Sequence, residues 1–263
     1  MIYAFYAVHL ASLPGSVQRA LAFSDLAVAL DKRYGDLRWR PAVLSMYAGL
    51  VHSWGRPFRL ARPFFDEAFS TALLVWDRRF APGLGMVAVW TEIEAATPIA
   101  KARAASKRYL DFTARVGSFF SNLCRQYVQF LACLEGQTTG LLSFDGPDFK
   151  EEEAVTLDRN SGYSSGVRQL WTLKLMAAVL LGQQDEASQY SVALRQMPTT
   201  LGSTIGAAEA FFHAMAAAME YGKAATDERA ELAAAVDDGV SRLEGWAADG
   251  QATVLRRYQL VLA

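Results

Sequence analysis

The sequence predicts an all-α protein whose helices pair into α-α hairpins and stack as a right-handed superhelix, an α-solenoid. Three observations carry that prediction. Hydrophobic residues make up 52% of the chain, and its 8 prolines fall mostly at the ends of apolar segments, so long helix-forming stretches run unbroken. The stretch Val167–Met197 reads as two helices meeting at one glycine. Units of the same kind recur along the chain, their first helices roughly 37 to 46 residues apart, within the period of helical-repeat arrays. One such pair cannot bury its apolar face alone, so neighbours must stack.

Taken in order, the first hairpin pairs Ile2–Leu10 with Val17–Tyr34 across SLPGS, and the second pairs Pro41–Trp54 with Phe58–Trp76 across GRP. The third pairs Pro82–Ala95 with Pro98–Val116, where Thr97 is a capping residue followed by a proline at the first helical position. A long helix, Ser118–Leu134, comes next. Residues 136–165 are rich in Gly, Ser and Asp. They read as an irregular connection with a short helix near Phe149–Ala154, packed by Leu141, Leu142, Phe144 and Phe149.

The hairpin Val167–Met197 follows that break. Leu170 to Leu181 is nearly all apolar and about three turns long, which suits a helix better than a strand. Lys174 interrupts it, and it falls short of the ~20 apolar residues of a membrane span. Gly182 suits the left-handed end of a helix, and Asp185 can cap the next one. That second helix places Ala187, Tyr190, Ala193 or Leu194 and Met197 on one face, and Pro198 stops it. Ile205–Tyr221 then pairs with Asp227–Ala248, and Thr253–Leu262 closes the chain.

Tetratricopeptide repeats place a Gly in the turn between helices, an Ala five residues on and a second Ala seven after that. Gly15, Ala20 and Ala27 match that spacing. Ala61 and Ala68 match its second half, with Gly55 one residue too early. Gly182 and Ala187 match its first half, with Ala193 one residue early. The repeats are therefore TPR-like and degenerate. Residues 1–263 read as a single TPR-like helical-repeat domain, and the uncapped ending QLVLA reads as a fragment of a longer chain.

Charge and cysteine usage narrow the function classes. The net charge of −1 gives no reason to expect nucleic-acid binding. Its distribution is uneven: residues 1–116 carry 15 Lys and Arg against 9 acids, or +6, and residues 117–263 carry 11 against 18, or −7. Solvated helix faces that differ by chance account for this, as does a head-to-tail arrangement of oppositely charged halves. Cys124 and Cys133 share one helix about half a turn out of phase, so they read as buried free thiols in a reducing cytoplasm. No basic residue precedes Arg19, so MIYAFYAVHLA reads as a core helix and not a signal peptide.

Catalytic and metal chemistry is not apparent. His9, His52 and His213 lie on three different helices without a second ligand at metal spacing. The run VDDG at Val236–Gly239 lacks the further acid and the second motif of a Mg²⁺ site. Glu151–Glu153 reads as a solvated run or a helix N-terminus, where the dipole favours acids. The paired aromatics Phe64–Phe65, Phe119–Phe120 and Phe211–Phe212 read as core. No phosphate-binding G-x-x-x-x-G-K-[ST] loop occurs, and no cofactor is expected.

Three segments then carry a resemblance to a known family. They are HSWGRPFRLARPFFDEAFSTAL (His52–Leu73), GPDFKEEEAVTL with the following helix ending VLLGQ (Gly146–Gln183), and Ala208–Ala263. In the last, Trp246, Ala247, Tyr258, Leu260 and Val261 fit the pattern, Asp238 stands near an Asn of the family, and Arg256-Arg257 replace its His-Lys. Together they resemble the helical-repeat region of multidomain STAND/AAA-ATPase signalling proteins, the multi-sensor histidine kinase and serine-threonine kinase hybrids. The resemblance implies a cytoplasmic, non-enzymatic scaffold between an ATPase and downstream sensor domains, mediating protein-protein interaction or signal relay. The alternative is a small-molecule or peptide-sensing TPR-like regulator, and a helical enzyme is a more distant third. The concave face of the first helices is the expected surface for a protein or peptide partner, with Tyr47, His52, Trp90, Glu92 and Arg125 as its candidate residues.

Overall fold

A computed structural model describes residues 1–13, 15–118, 120–162, 165–198, 204–248 and 252–262. Every regular element among them is helical: α1 (Ile2–Ala11), α2 (Val17–Tyr34), α3 (Arg40–Met46), α4 (His52–Gly55), α5 (Arg62–Leu74), α6 (Ala81–Glu94) and α7 (Ile99–Arg115). There follow α8 (Phe120–Leu134), α9 (Glu151–Asn160), α10 (Ser165–Leu180), α11 (Gln184–Arg195), α12 (Thr204–Tyr221), α13 (Arg229–Ala247) and α14 (Ala252–Leu262). No helix among the described residues is long and apolar enough to cross a membrane. The chain gathers into two compact units. The first contains Met1–Val128 and Thr204, and the second contains Ile205–Ala248 and the segment that begins at Gln129.

Neighbouring helices pair as hairpins. In the first unit α1 packs on α2, α3 on α5 and α6 on α7, while α5 meets α6 and so joins the second hairpin to the third. The core there is built on Leu44, Trp54, Phe65, Leu84 and Leu123, all buried. In the second unit α10 packs on α11 and on α9, around Phe130, Phe144, Leu170, Leu173 and Leu194. Gly182 ends α10 at φ +69°, the left-handed turn that only glycine adopts without strain.

Two differences from the expected elements have physical causes. The helix expected over Pro41–Trp54 is interrupted by one π-helical turn, Tyr47–Val51, that separates α3 from α4. There Gly49 lets two helices approach so closely that a Cβ on it would stand 2.6 Å from Val87. An unbroken apolar run carries no phase mark that would reveal such an insertion. The connection 136–165 is the second difference. It holds a full ten-residue helix, α9, that starts later and runs longer than the expected one.

That connection is anchored by charge. Lys174 is only 8% exposed, and its Nζ donates to both carboxylate oxygens of Glu151 (2.8 and 2.7 Å) and to the carbonyl of Leu142 (3.0 Å). Asp145 Oδ1 in turn accepts the backbone N–H of Glu151 at 2.8 Å, satisfying a free donor in the first turn of α9. Phe144 and Phe149 are buried as expected, whereas Leu141 is exposed.

α5 and α6 end in left-handed residues that are not glycine, Trp76 and Ala96, both at φ +52°. Backbone bonds from Asp77 N to Ala72 O (2.9 Å) and from Thr97 N to Glu92 O (3.2 Å) hold them there. A side chain in that conformation costs roughly 1 kcal/mol. Ala96→Gly is therefore expected to stabilise the protein by about 1 kcal/mol, read as a raised urea midpoint; an unchanged or lowered midpoint would contradict it.

Candidate functional site

The second unit contains a cavity of about 520 Å³ between α11, α12 and α13, with Arg168 of α10 also lining it. Its walls are small because α13 presents Ala234, Ala235 and Gly239 to it. A Cβ on Gly239 would stand 2.7 Å from that of Ala214, so α12 and α13 touch there backbone to backbone.

A polar cluster lies beside those walls. Arg168 Nε donates to Glu209 Oε2 at 2.9 Å, and Nη2 donates to Oε1. Nη1 donates to the carbonyl oxygens of Leu194 (3.0 Å), Met197 (2.7 Å) and Pro198 (3.1 Å). The cation thus completes the C-terminal end of α11, where the helix dipole is negative. Thr172 Oγ1 stands 3.1 Å from Glu209 Oε2 and 3.0 Å from the Arg168 carbonyl. Arg168 and Glu209 are both buried, a burial tolerable only because the charges pair and every nitrogen of the guanidinium donates a hydrogen bond.

Ser191 Oγ and His213 Nδ1 are 2.7 Å apart, and His213 Nε2 stands 3.8 Å from Glu209 Oε1. The order serine, histidine, carboxylate invites comparison with a hydrolytic triad. The geometry does not support one. At 3.8 Å the carboxylate does not hydrogen-bond the ring, and Arg168 already neutralises its charge. Burial pushes His213 down to about 4, with Glu209 opposing and Arg195, Arg242 and Arg168 adding to the effect. Such a ring is neutral and a weak base at neutral pH, far from the match to operating pH that general-base catalysis needs. The cluster joins α10, α11 and α12 and lies beside the cavity.

The residues expected to form a partner surface belong to the first unit. Tyr47 and His52 come together there, ring centroids 5.4 Å apart. Arg56 Nη1 donates to Tyr47 Oη (2.6 Å) and to Asp25 Oδ1 (2.8 Å), holding the Asp25 carboxyl below its ordinary range. His52 is 2% exposed and Trp90 4%, and Tyr47 is likewise buried, so all three are packing residues and present no surface to a partner. Burial also pushes His52 down to about 4, with Arg56 adding and Asp25 opposing. Trp90 Nε1 donates to Thr204 Oγ1 at 2.9 Å, and its ring faces Tyr127. Glu92 is half-buried and accepts from Arg62 Nε (2.8 Å) and Thr97 Oγ1 (2.7 Å). Arg125, on α8, is exposed. Only Tyr47 and His52 meet as a pair; the aromatics of this set went inside because they fill the gaps between hairpins.

Arg168, Glu209 and Ser191 were not legible as site residues. A signal did exist: Arg168 stands at the head of an almost wholly apolar helix and Glu209 amid alanines and phenylalanines. Lone charges of opposite sign in apolar runs are candidates for a buried pair. Cys124 is a buried free thiol that burial pushes up to about 12, and Cys133 is buried and free as well. Compared with family models, curated proteins and solved structures, the chain matches none.

Two outcomes are expected from this geometry. Glu209→Ala leaves the Arg168 charge unpaired and should cost about 3–5 kcal/mol in urea unfolding, whereas Arg168→Met with Glu209→Leu should recover most of that loss. A single variant as stable as the parent would refute the pairing argument. The ring protons of His52 and His213 should not titrate as pH falls from 8 to 5. Between an unfolded value near 6.5 and a folded value of about 4 the unfolded chain binds more protons. Stability present in full above 6.5 should therefore be lost as pH falls towards 4.

Proposed function

We propose that the chain is a non-enzymatic, cytoplasmic helical-repeat scaffold, its TPR-like hairpins stacked as a right-handed superhelix, that binds a protein or peptide partner. The relay of a signal between an ATPase and sensor domains of a longer STAND-type signalling protein is the form of that role suggested by the three resembling segments. The observation that carries the reading is the outer face of α1. Ala4, Ala7, Leu10 and Ala11 turn inward, while Ile2 (79% exposed), Tyr3, Phe5 and Tyr6 stand in solvent. Phe23 of α2 extends that surface, its ring centroid 4.9 Å from that of Tyr6 and 6.1 Å from that of Tyr3.

Contiguous apolar surface of this kind marks interaction sites in stable proteins. An outer helix face exposed to water is usually polar, and that of α1 is apolar, which suits a face that another polypeptide covers. Aromatic side chains give such a face large contact area at a small cost in conformational freedom. The sequential contacts of hairpin with hairpin in the first unit support the scaffold half of the reading.

The test is affinity purification from native lysate with the parent chain and a Tyr3→Ser/Phe5→Ser variant. Both positions are exposed, so the variant should keep its fold, checked by its unchanged urea midpoint. Recovery of a defined partner by the parent and its loss by the variant is the expected result. Equal recovery by both, or no specific recovery by the parent, sinks the reading.

A further inference from the structure

We propose that the cavity between α11, α12 and α13 binds a small organic anion, a carboxylate or phosphate monoester carried on a compact apolar body. The inference is independent of the α1 face, because every residue that lines the cavity belongs to the second unit.

Volume and lining set the size and body of the ligand. About 520 Å³ falls within the range of small-molecule sites. Leu194 and Met197 supply apolar wall together with Ala210, Ala234 and Ala235, whose side chains are too short to fill the space themselves. The close Gly239–Ala214 crossing keeps α12 and α13 from shifting to fill it.

Charge sets the headgroup. Arg168 and Glu209 neutralise one another, and every nitrogen of that guanidinium already donates a hydrogen bond, so the pair offers a ligand no net charge. Two further guanidinium groups line the same cavity, Arg195 from α11 and Arg242 from α13. Arg195 is exposed. Arg242 has one acid near it, Asp238 at 3.8 Å with 70% of its side chain in solvent, a distance and exposure at which the pair is weak. Both arginines act electrostatically on His213, in company with Arg168 and against Glu209 alone. The other lining acid, Glu231, is exposed like Arg195, so water screens both alike, and the charges that act on the His213 ring are Glu209 and the three arginines. With Glu209 taken up by Arg168, the charges left beside the neutral His213 ring are two forked donors on different helices, neither in a close ion pair among the described residues. Forked donors pair with carboxylate or phosphate oxygens two at a time.

His213 is the reporter for the experiment. The ¹³C-labelled His213 ring of the full chain is followed by NMR during titration with phenyl phosphate, benzoate, benzyl alcohol, benzamidine and inorganic phosphate. Saturable shifts with either or both aromatic anions, at a Kd below about 1 mM, are expected, and which of the two binds tighter assigns the headgroup. Benzyl alcohol and benzamidine should bind at least about tenfold more weakly, which is the preference an ion pair supplies. Arg195→Gln with Arg242→Gln should abolish the shift while leaving the free ring's own resonance in place. Ala235→Leu, which fills the cavity and keeps both arginines, should weaken binding as well. No shift with any anion, equal binding of benzamidine, or unchanged binding by either variant overturns the proposal. Inorganic phosphate binding as tightly as phenyl phosphate overturns the apolar-body half of it.

Discussion

A guanidinium enclosed by helices must find an acceptor for each of its N–H groups, because water cannot serve them there. In the second unit this requirement acts on three helices at once. Arg168 is satisfied only where the last carbonyls of α11 and the carboxylate of Glu209 on α12 reach the head of α10 together. Any relative sliding of these helices would strand a charge away from its partners. The same helix carries a second anchored cation, Lys174, whose bonds to Glu151 and to the Leu142 carbonyl hold the connection and the start of α9. α10 is thus the element to which both the preceding connection and the following hairpin are tied, through charges that a mostly apolar helix can hold only if they are paired.

The first unit is assembled by different means. Alanines and glycines at the helix contacts allow close approach, as at Gly49 against Val87, and large aromatics fill what remains between hairpins. Two of its ion pairs lie towards the surface: Arg56 on Asp25 and Arg62 on Glu92 each clamp one helix to another where water still reaches them. Pairs of that kind contribute little stability individually and mainly fix orientation. The two left-handed, non-glycine helix ends at Trp76 and Ala96 show the chain turning tightly between helices at some cost in backbone strain.

These arrangements decide where binding chemistry remains. Residues that look functional in isolation, a histidine beside a tyrosine or a serine beside a histidine, are consumed by packing or by neutral hydrogen bonds, and their titration is driven by burial. Surface that packing leaves unmatched is found on the outer face of α1, where the helix is apolar on both sides. Volume that packing leaves unfilled is found where α13 turns alanines towards longer neighbours. The first suits a polypeptide and the second a small molecule.

The helical class, the hairpin turns and most helix boundaries could be read from the sequence, since prolines, glycines and apolar runs act on the backbone within a few residues. Gly182 is a case in point: its position alone calls for a left-handed turn, and the turn is there. The length of α9, the π turn at Tyr47–Val51 and the inward placement of Tyr47, His52 and Trp90 were not legible, because each depends on which neighbour an apolar or polar face meets. The candidate site was legible least of all. Lys174 stood out in the sequence only as an interruption in an apolar run, and Glu209 only as a lone acid among alanines and phenylalanines. What the sequence by itself determined is the inventory of helices and their order, through local physics. Only the tertiary structure decided that Arg168 meets Glu209, that Lys174 meets Glu151 and that a cavity remains beside the first pair, because these follow from how helices distant in sequence cross.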